Sequence, residues 1–185
     1  MEMDEIKQKI LQDVDPVTIK KNKKIKRRGW IHLALEIAAV LASIGLVLYI
    51  CWGFTTVSGS SMYPTLHNGD TVIYSRLGKH FEVGDVVLVE RPNDEIFVKR
   101  IVAVAGDTVM IEDGKLFVNG KEIQTKQAIG DTIRTGTDIS YPYVVPENQV
   151  FVIGDNRENS EDSRMFGAVD VDHIKGRIAM YIGHL

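Results

Sequence analysis

Two short islands of sequence carry the side chains best suited to chemistry. Ser61 lies in Gly59-Ser60-Ser61-Met62-Tyr63-Pro64-Thr65-Leu66, and Lys99 lies in Val98-Lys99-Arg100. A serine hydroxyl attacks well only when a neighbouring base takes its proton. Histidine is the usual base, and His67, His80, His173 and His184 are triad alternatives, but none stands in a recognisable histidine motif. A lysine amine is the other option, and it works near neutral pH only if the protein strips its hydration. Lowering a free lysine from a pKa near 10.4 by roughly 2 to 3 units means destabilising its charge by about 3 to 4 kcal/mol. Val98, Ile101 and Val102 supply apolar surroundings of the kind this requires.

The elements that must hold these residues read as strands. Thr71–Tyr74, Val86–Val89, Ile96–Ala105 and Val150–Ile153 are short and rich in β-branched residues. Thr108–Ile111 and Lys115–Val118 flank Asp113-Gly114, a hairpin signal, and Asn119-Gly120 supplies a second turn. Gly-Asp recurs at 69–70, 84–85, 106–107 and 154–155. The first three read as turn chemistry. Residues 124–142 are polar, contain Gly130, Gly136 and Pro142, and are expected to form a surface excursion between strands.

Upstream the pattern changes. Residues 31–54 read IHLALEIAAVLASIGLVLYICWGF, which as a helix would extend about 36 Å, enough for a bilayer. Seven cations in nine residues, Lys20 to Arg28, precede it and predict a cytoplasmic N-terminus. A basic run can also bind nucleic acid, but its abutment to an apolar span favours the membrane and anionic lipids. Residues 1–29 hold nine Lys/Arg against five Asp/Glu, and residues 55–185 hold thirteen against nineteen, so the two segments carry +4 and −6. His32 and Glu36 read as boundary residues, and Trp30, Tyr49, Trp52 and Phe54 as interfacial aromatics. The apolar stretch is too long for a cleavable leader and is expected to stay attached. The organisation expected is a basic cytoplasmic tail over 1–29, a transmembrane helix over 30–54 and an extracytoplasmic domain over 55–185. Cys51 is the single cysteine, which excludes an intrachain disulfide and a Cys-rich metal site. A thiol between Ile50 and Trp52 would be held neutral and is a poor nucleophile.

With these motifs the chain resembles the bacterial type I signal peptidases, membrane-anchored Ser/Lys endopeptidases of the peptidase S26 family. Ser-Met-x-Pro-Thr-Leu matches at Ser61–Leu66 and Gly-Asp-x-Val at Gly84–Val87. Lys-Arg followed by Gly-Asp matches at Lys99-Arg100 and Gly106-Asp107, and Gly-Asp-Asn-x-x-x-Ser-x-Asp-Ser-Arg at Gly154–Arg164. The resemblance implies a mainly β fold, a coiled antiparallel β-sheet catalytic domain of the signal peptidase/LexA-like kind, behind one N-terminal transmembrane helix. It makes Ser61 the nucleophile, Lys99 the general base and Ser160 the hydroxyl that orients the amine. Asp162 and Arg164 become a supporting ion pair. The Ser61 backbone N–H becomes an oxyanion donor. Some members add a hydroxyl two residues before the nucleophile, where this chain has Gly59.

The implied activity is removal of leader peptides from exported preproteins with small residues at −1 and −3, bound as an added strand. No metal or organic cofactor is required. The bilayer is the second partner, and no nucleic acid is expected. A self-cleaving repressor-type Ser/Lys peptidase would need a DNA-binding domain, for which residues 1–29 are too short. A membrane-tethered binding protein with a dead site is the alternative from another class, and the intact Ser61, Lys99 and Ser160 argue against it.

Overall fold

The computed structural model describes residues 3–12, 16–92, 95–135 and 139–183, with side chains described for 3–7 and from Arg27 onward. His184, Gly136 and the side chains of Lys20–Lys26 lie outside the described residues. The chain divides into two units, Met1–Leu48 and Tyr49–Leu185.

The first unit is helical. Helix α1 spans Met3–Gln12, and α2 begins at Pro16, a residue whose fixed φ suits a first helical turn, and runs to Cys51. Within α2, Arg27–Cys51 has a mean hydropathy of 2.3 and no buried residue, and is long and apolar enough to cross a membrane.

The helix stops three residues earlier than the apolar run. Trp52, Gly53 and Phe54, assigned to the span from hydropathy, instead open strand β1 (Trp52–Thr56). Two forces end the helix there. The backbone N–H of Arg76 takes the Cys51 carbonyl and its guanidinium takes that of Tyr49, satisfying carbonyls that a helix end leaves orphaned. Gly53 lies flush on the Tyr74 ring, where a Cβ would sit 2.2 Å from the ring carbon Cζ.

The second unit is built from antiparallel strands. A seven-stranded sheet runs in the order β1, β2 (Thr71–Ser75), β11 (Ile174–Ile182), β3 (Val86–Glu90), β4 (Ile96–Val104), β9 (Gln149–Ile153), β10 (Val169–Asp170). A four-stranded sheet runs β7 (Lys121–Glu122), β6 (Lys115–Val118), β5 (Thr108–Glu112), β8 (Tyr143–Val144). The four strands read from β-branched runs, and the hairpin around Asp113-Gly114, fall on these elements. Both turn residues carry positive φ, 48° and 74°, as a tight hairpin demands.

Burial follows from the strand pattern. Val102, Val109, Ile111, Leu116, Phe151 and Ile153 fill the space against the smaller sheet. Val87, Val89, Ile101, Val150 and Val152 form a second cluster, and Val57, Met62, Leu66 and Val72 a third, beneath the Ser61 loop. Residues of β1 and β4 line one cleft although three strands separate them, so the sheet curls.

Residues 124–135 are less of a surface excursion than their polarity suggests. Ile129 pairs with Asn156 as a parallel bridge, its N–H donating to Asp155 O and its carbonyl accepting from Arg157 N. Thr132 is buried and takes the Arg157 guanidinium at 2.6 Å. The polar side chains and glycine of this segment let it lie against a loop rather than a strand, so alternation in the sequence gives no sign of it.

Candidate active site

Ser61 sits in the loop that joins β1 to β2. Val57 N–H donates to Asp70 O and Gly69 N–H to Val57 O, closing the loop at its base. Met62 and Leu66, each 1% exposed, anchor its interior in the third cluster. Ser61 is thus held by its neighbours' packing.

Lys99 comes from β4, opposite Val87 of β3 in a strand paired on both sides. It is 3% exposed, and its Nζ lies 2.8 Å from Ser61 Oγ. Burial pushes the amine down from 10.5 to about 8. Asp162 and Glu161 oppose the shift, and Arg164 adds to it. At that value roughly one amine in ten is neutral at pH 7, against about one in three thousand for an unperturbed lysine. In the charged form Lys99 donates to Ser61, and once neutral it can accept the Ser61 proton.

Arg100, on the opposite face of β4, ties the sequence islands together. Its Nε and Nη2 reach both carboxylate oxygens of Asp155 at 2.8 and 2.7 Å, and its Nη1 donates to Gly84 O at 2.8 Å. Asp155 also accepts from the Thr65 hydroxyl, so Pro64-Thr65-Leu66, Gly84, Arg100 and Gly154-Asp155 meet at one buried carboxylate. This knot escaped the sequence reading. The signal was present in the repeated Gly-Asp. Asp70, Asp85 and Asp107 each accept from the N–H three residues before them, as turn closures. Asp155 instead turns inward to a guanidinium.

The segment after β9 clamps the Ser61 loop. Asn156 N–H donates to Ser61 O at 3.0 Å, Asn156 Nδ2 to Ser60 O at 3.2 Å and Asn159 Nδ2 to Ser60 Oγ at 2.8 Å. Gly154 is required by this contact. A Cβ there would lie 2.2 Å from Ser160 Oγ and 2.6 Å from Ser61 O.

Asp162 and Arg164 pair at 2.8 Å with both side chains wholly buried. Asp162 also accepts from Gly154 N–H, and Arg164 Nη2 reaches Ser160 O. Ser163, the first residue of the one-turn helix α3 (Ser163–Phe166), accepts from Val152 N–H and docks the loop on β9. Ser160, expected to orient the amine, has a buried Oγ with no hydrogen-bond partner among the described residues, whereas Lys99 Nζ is bonded to Ser61. The Ser61 N–H makes no hydrogen bond within the protein among the described residues. His67, His80 and His173 are exposed and do not line the cleft.

The cleft around the pair has a volume of about 430 Å³. Thr55–Val57, Ser60, Ile96–Val98, Asn159 and Glu161 are among the residues that line it. Among the described residues β1 pairs with β2 alone, which leaves its outer edge open to an added strand. Among the described residues no cluster of His, Cys, Asp and Glu could hold a metal ion.

A family model described as signal peptidase, peptidase S26, matches residues 28–182. Signal peptidase I S of Bacillus subtilis (strain 168) is 40% identical over 141 residues, covering 71% of this chain and 75% of that protein. Signal peptidase I of Bacillus licheniformis is 34% identical over 167 residues, 84% of this chain and 88% of the relative. Thylakoidal processing peptidase 1 of Arabidopsis thaliana is 36% identical over 137 residues, 66% of this chain but only 39% of that longer protein.

Proposed function

The chain belongs to the signal peptidase family, peptidase S26, and is a serine peptidase of exported preproteins; we propose that it cleaves their signal peptides with Ser61 as nucleophile and Lys99 as general base. The observation that carries this reading is the 2.8 Å contact between Lys99 Nζ and Ser61 Oγ, with the amine brought by burial to about 8.

The chemistry follows from that contact. Neutral Lys99 takes the Ser61 proton as Oγ bonds to the scissile carbonyl carbon. The Ser61 N–H, which has no acceptor among the described residues, stabilises the oxyanion. The tetrahedral intermediate collapses, the C–N bond breaks, and the lysine returns its proton to the leaving amine. Lys99 then deprotonates the water that hydrolyses the acyl-enzyme. Ser160 Oγ, buried and unpaired, is the hydroxyl available to hold the amine between these steps. The Asp162–Arg164 pair fixes the loop that carries Ser160.

The substrate adds as a strand to the open edge of β1, with small −1 and −3 side chains beside the uncharged lining residues Thr55–Val57 and Ile96–Val98. Arg27–Cys51 spans the bilayer, and the cations of 20–28 keep the N-terminus cytoplasmic, so residues 55–185 work outside. Exposed Phe54 on β1 and Met180 and Ile182 on β11 suit contact with lipid.

The test is cleavage of a leader-bearing preprotein by the full chain in detergent. Ser61→Ala and Lys99→Ala should each lose at least about a thousandfold in kcat while staying folded. Retained cleavage by Lys99→Ala would overturn the dyad.

A further inference from the structure

Three largely buried guanidiniums gather at the Gly154–Arg164 segment. Two have carboxylates of their own: Arg100 pairs with Asp155 at 2.7 Å and Arg164 with Asp162 at 2.8 Å. Arg157 has none. It is 3% exposed, no carboxylate among the described residues lies within ion-pair distance of it, and its buried Nε makes no hydrogen bond. Burial, and then Arg164, disfavour its charge; Asp155 and Asp162 attract it, but both are engaged by other guanidiniums. A buried cation without a counter-charge is among the costliest features a fold can carry. Arg157 lines a cavity of about 240 Å³ between the β6–β7 hairpin and residues 124–132. Its Nη1 donates to Thr132 Oγ1 at 2.6 Å and its Nη2 to Thr125 Oγ1 at 3.3 Å, and both threonines line the same cavity.

We propose that this cavity binds a phosphate, free or as a terminal monoester, with Arg157 as its counter-charge and the Thr125 and Thr132 hydroxyls as donors. Each hydroxyl accepts from Arg157 and so keeps its own proton to give, and neither donates within the protein among the described residues. Lys115 supplies the lining with a second cation, so a dianion with several oxygens answers the site better than a single carboxylate. Three carboxylates oppose binding. Glu122 belongs to the lining and is held by Lys115 at 3.2 Å and Gln124 at 2.8 Å, while Glu158 and Asp131 lie against the lining glycines Gly130 and Gly114. Two charge-assisted hydrogen bonds set against them correspond to a dissociation constant on the order of 1 mM. The site shares no lining residue with the Ser61–Lys99 cleft. It is braced by the same segment, since Arg157 follows Asn156, whose N–H holds Ser61 O.

The experiment follows thermal unfolding of the full chain in detergent by circular dichroism, at fixed ionic strength, while inorganic phosphate or glycerol phosphate replaces chloride. Wild type should gain about 5 °C by about 20 mM ligand, along a curve that saturates. Arg157→Gln should gain less than about 1 °C, which also separates the site from the general, non-saturating effect of phosphate on protein surfaces. Glu122→Gln removes a repelling charge and should lower the half-saturating concentration about fivefold. Lys79→Gln, which removes an exposed cation outside the cavity, should behave as wild type. A lower half-saturating concentration for glycerol phosphate identifies a monoester as the ligand, and a lower one for inorganic phosphate identifies the free ion. No saturating rise in wild type with either ligand, or an equal rise in Arg157→Gln, would overturn the assignment. If Arg157→Gln does not fold, Glu122→Gln decides, and a half-saturating concentration unchanged from wild type would overturn it as well.

Discussion

Replacing Lys99 by methionine should stabilise the protein while abolishing turnover. The buried amine titrates at about 8 instead of 10.5, and that difference corresponds to about 3.4 kcal/mol of penalty on its charged form. The folded pKa lies below the unfolded one, so between about pH 8 and 10.5 the unfolded chain binds more protons and stability rises with pH. Below pH 8 the penalty is present almost in full, about 3 kcal/mol at pH 7, and by pH 9.5 about 1.4 kcal/mol remains. Methionine has a similar volume and no charge to desolvate, so it removes the penalty, offset by the lost hydrogen bond to Ser61, about 1 kcal/mol. The gain over wild type should therefore be about 2 kcal/mol at pH 7 and close to zero at pH 9.5. Urea unfolding of the full chain in detergent, followed by the β-sheet circular dichroism signal, measures both. The change of about 2 kcal/mol between the two pH values is the decisive quantity, because pH-independent terms cancel in it. A stability gap that stays constant or widens with pH would refute the reasoning, as would a kcat/KM profile whose rising limb lies near 10.5 instead of 8.

Two further substitutions probe the scaffold. Asp162→Ala leaves the Arg164 guanidinium buried without its partner and should cost about 3 to 5 kcal/mol in denaturant unfolding; a loss under about 1 kcal/mol would show that the pair is solvated in solution. Gly154→Ala drives a methyl group into Ser160 Oγ and Ser61 O and should lower kcat more than tenfold with KM nearly unchanged, measured on the same preprotein, whereas wild-type kcat would show that the clamp has slack.

What the sequence made legible depended on how local the determinant was. Strands β2, β3, β4 and β9 could be read because β-branched residues cluster where one face or both are buried. Ser61 and Lys99 could be paired only through the matching motifs, since 38 residues of chain separate them and no periodicity encodes their contact. The end of α2 was misplaced because Trp52-Gly53-Phe54 is as apolar as the run before it. What separates them is pairing with β2 and the fit of Gly53 against Tyr74, both tertiary. The Arg100–Asp155–Thr65 knot stayed hidden because its Gly-Asp pair is spelled like three ordinary turns. Ser160 was expected to bond the amine, and its buried Oγ has no partner among the described residues, a geometry that no sequence pattern encodes.

The proposed docking of substrate on the open edge of β1 has a consequence for which chains the enzyme can touch at all. A strand edge recognises its guest through main-chain N–H and C=O groups, so it accepts only backbone whose own hydrogen bonds are not already committed. A segment inside a finished sheet or helix presents nothing to that edge, however suitable its side chains. The filter is thus on conformation before sequence. Mature domains that have folded are spared, a leader must unwind around its cleavage point to be cut, and the enzyme's own helices and paired strands are poor targets for it. Under the proposed specificity, small −1 and −3 side chains then choose the bond within a stretch already selected for being extended.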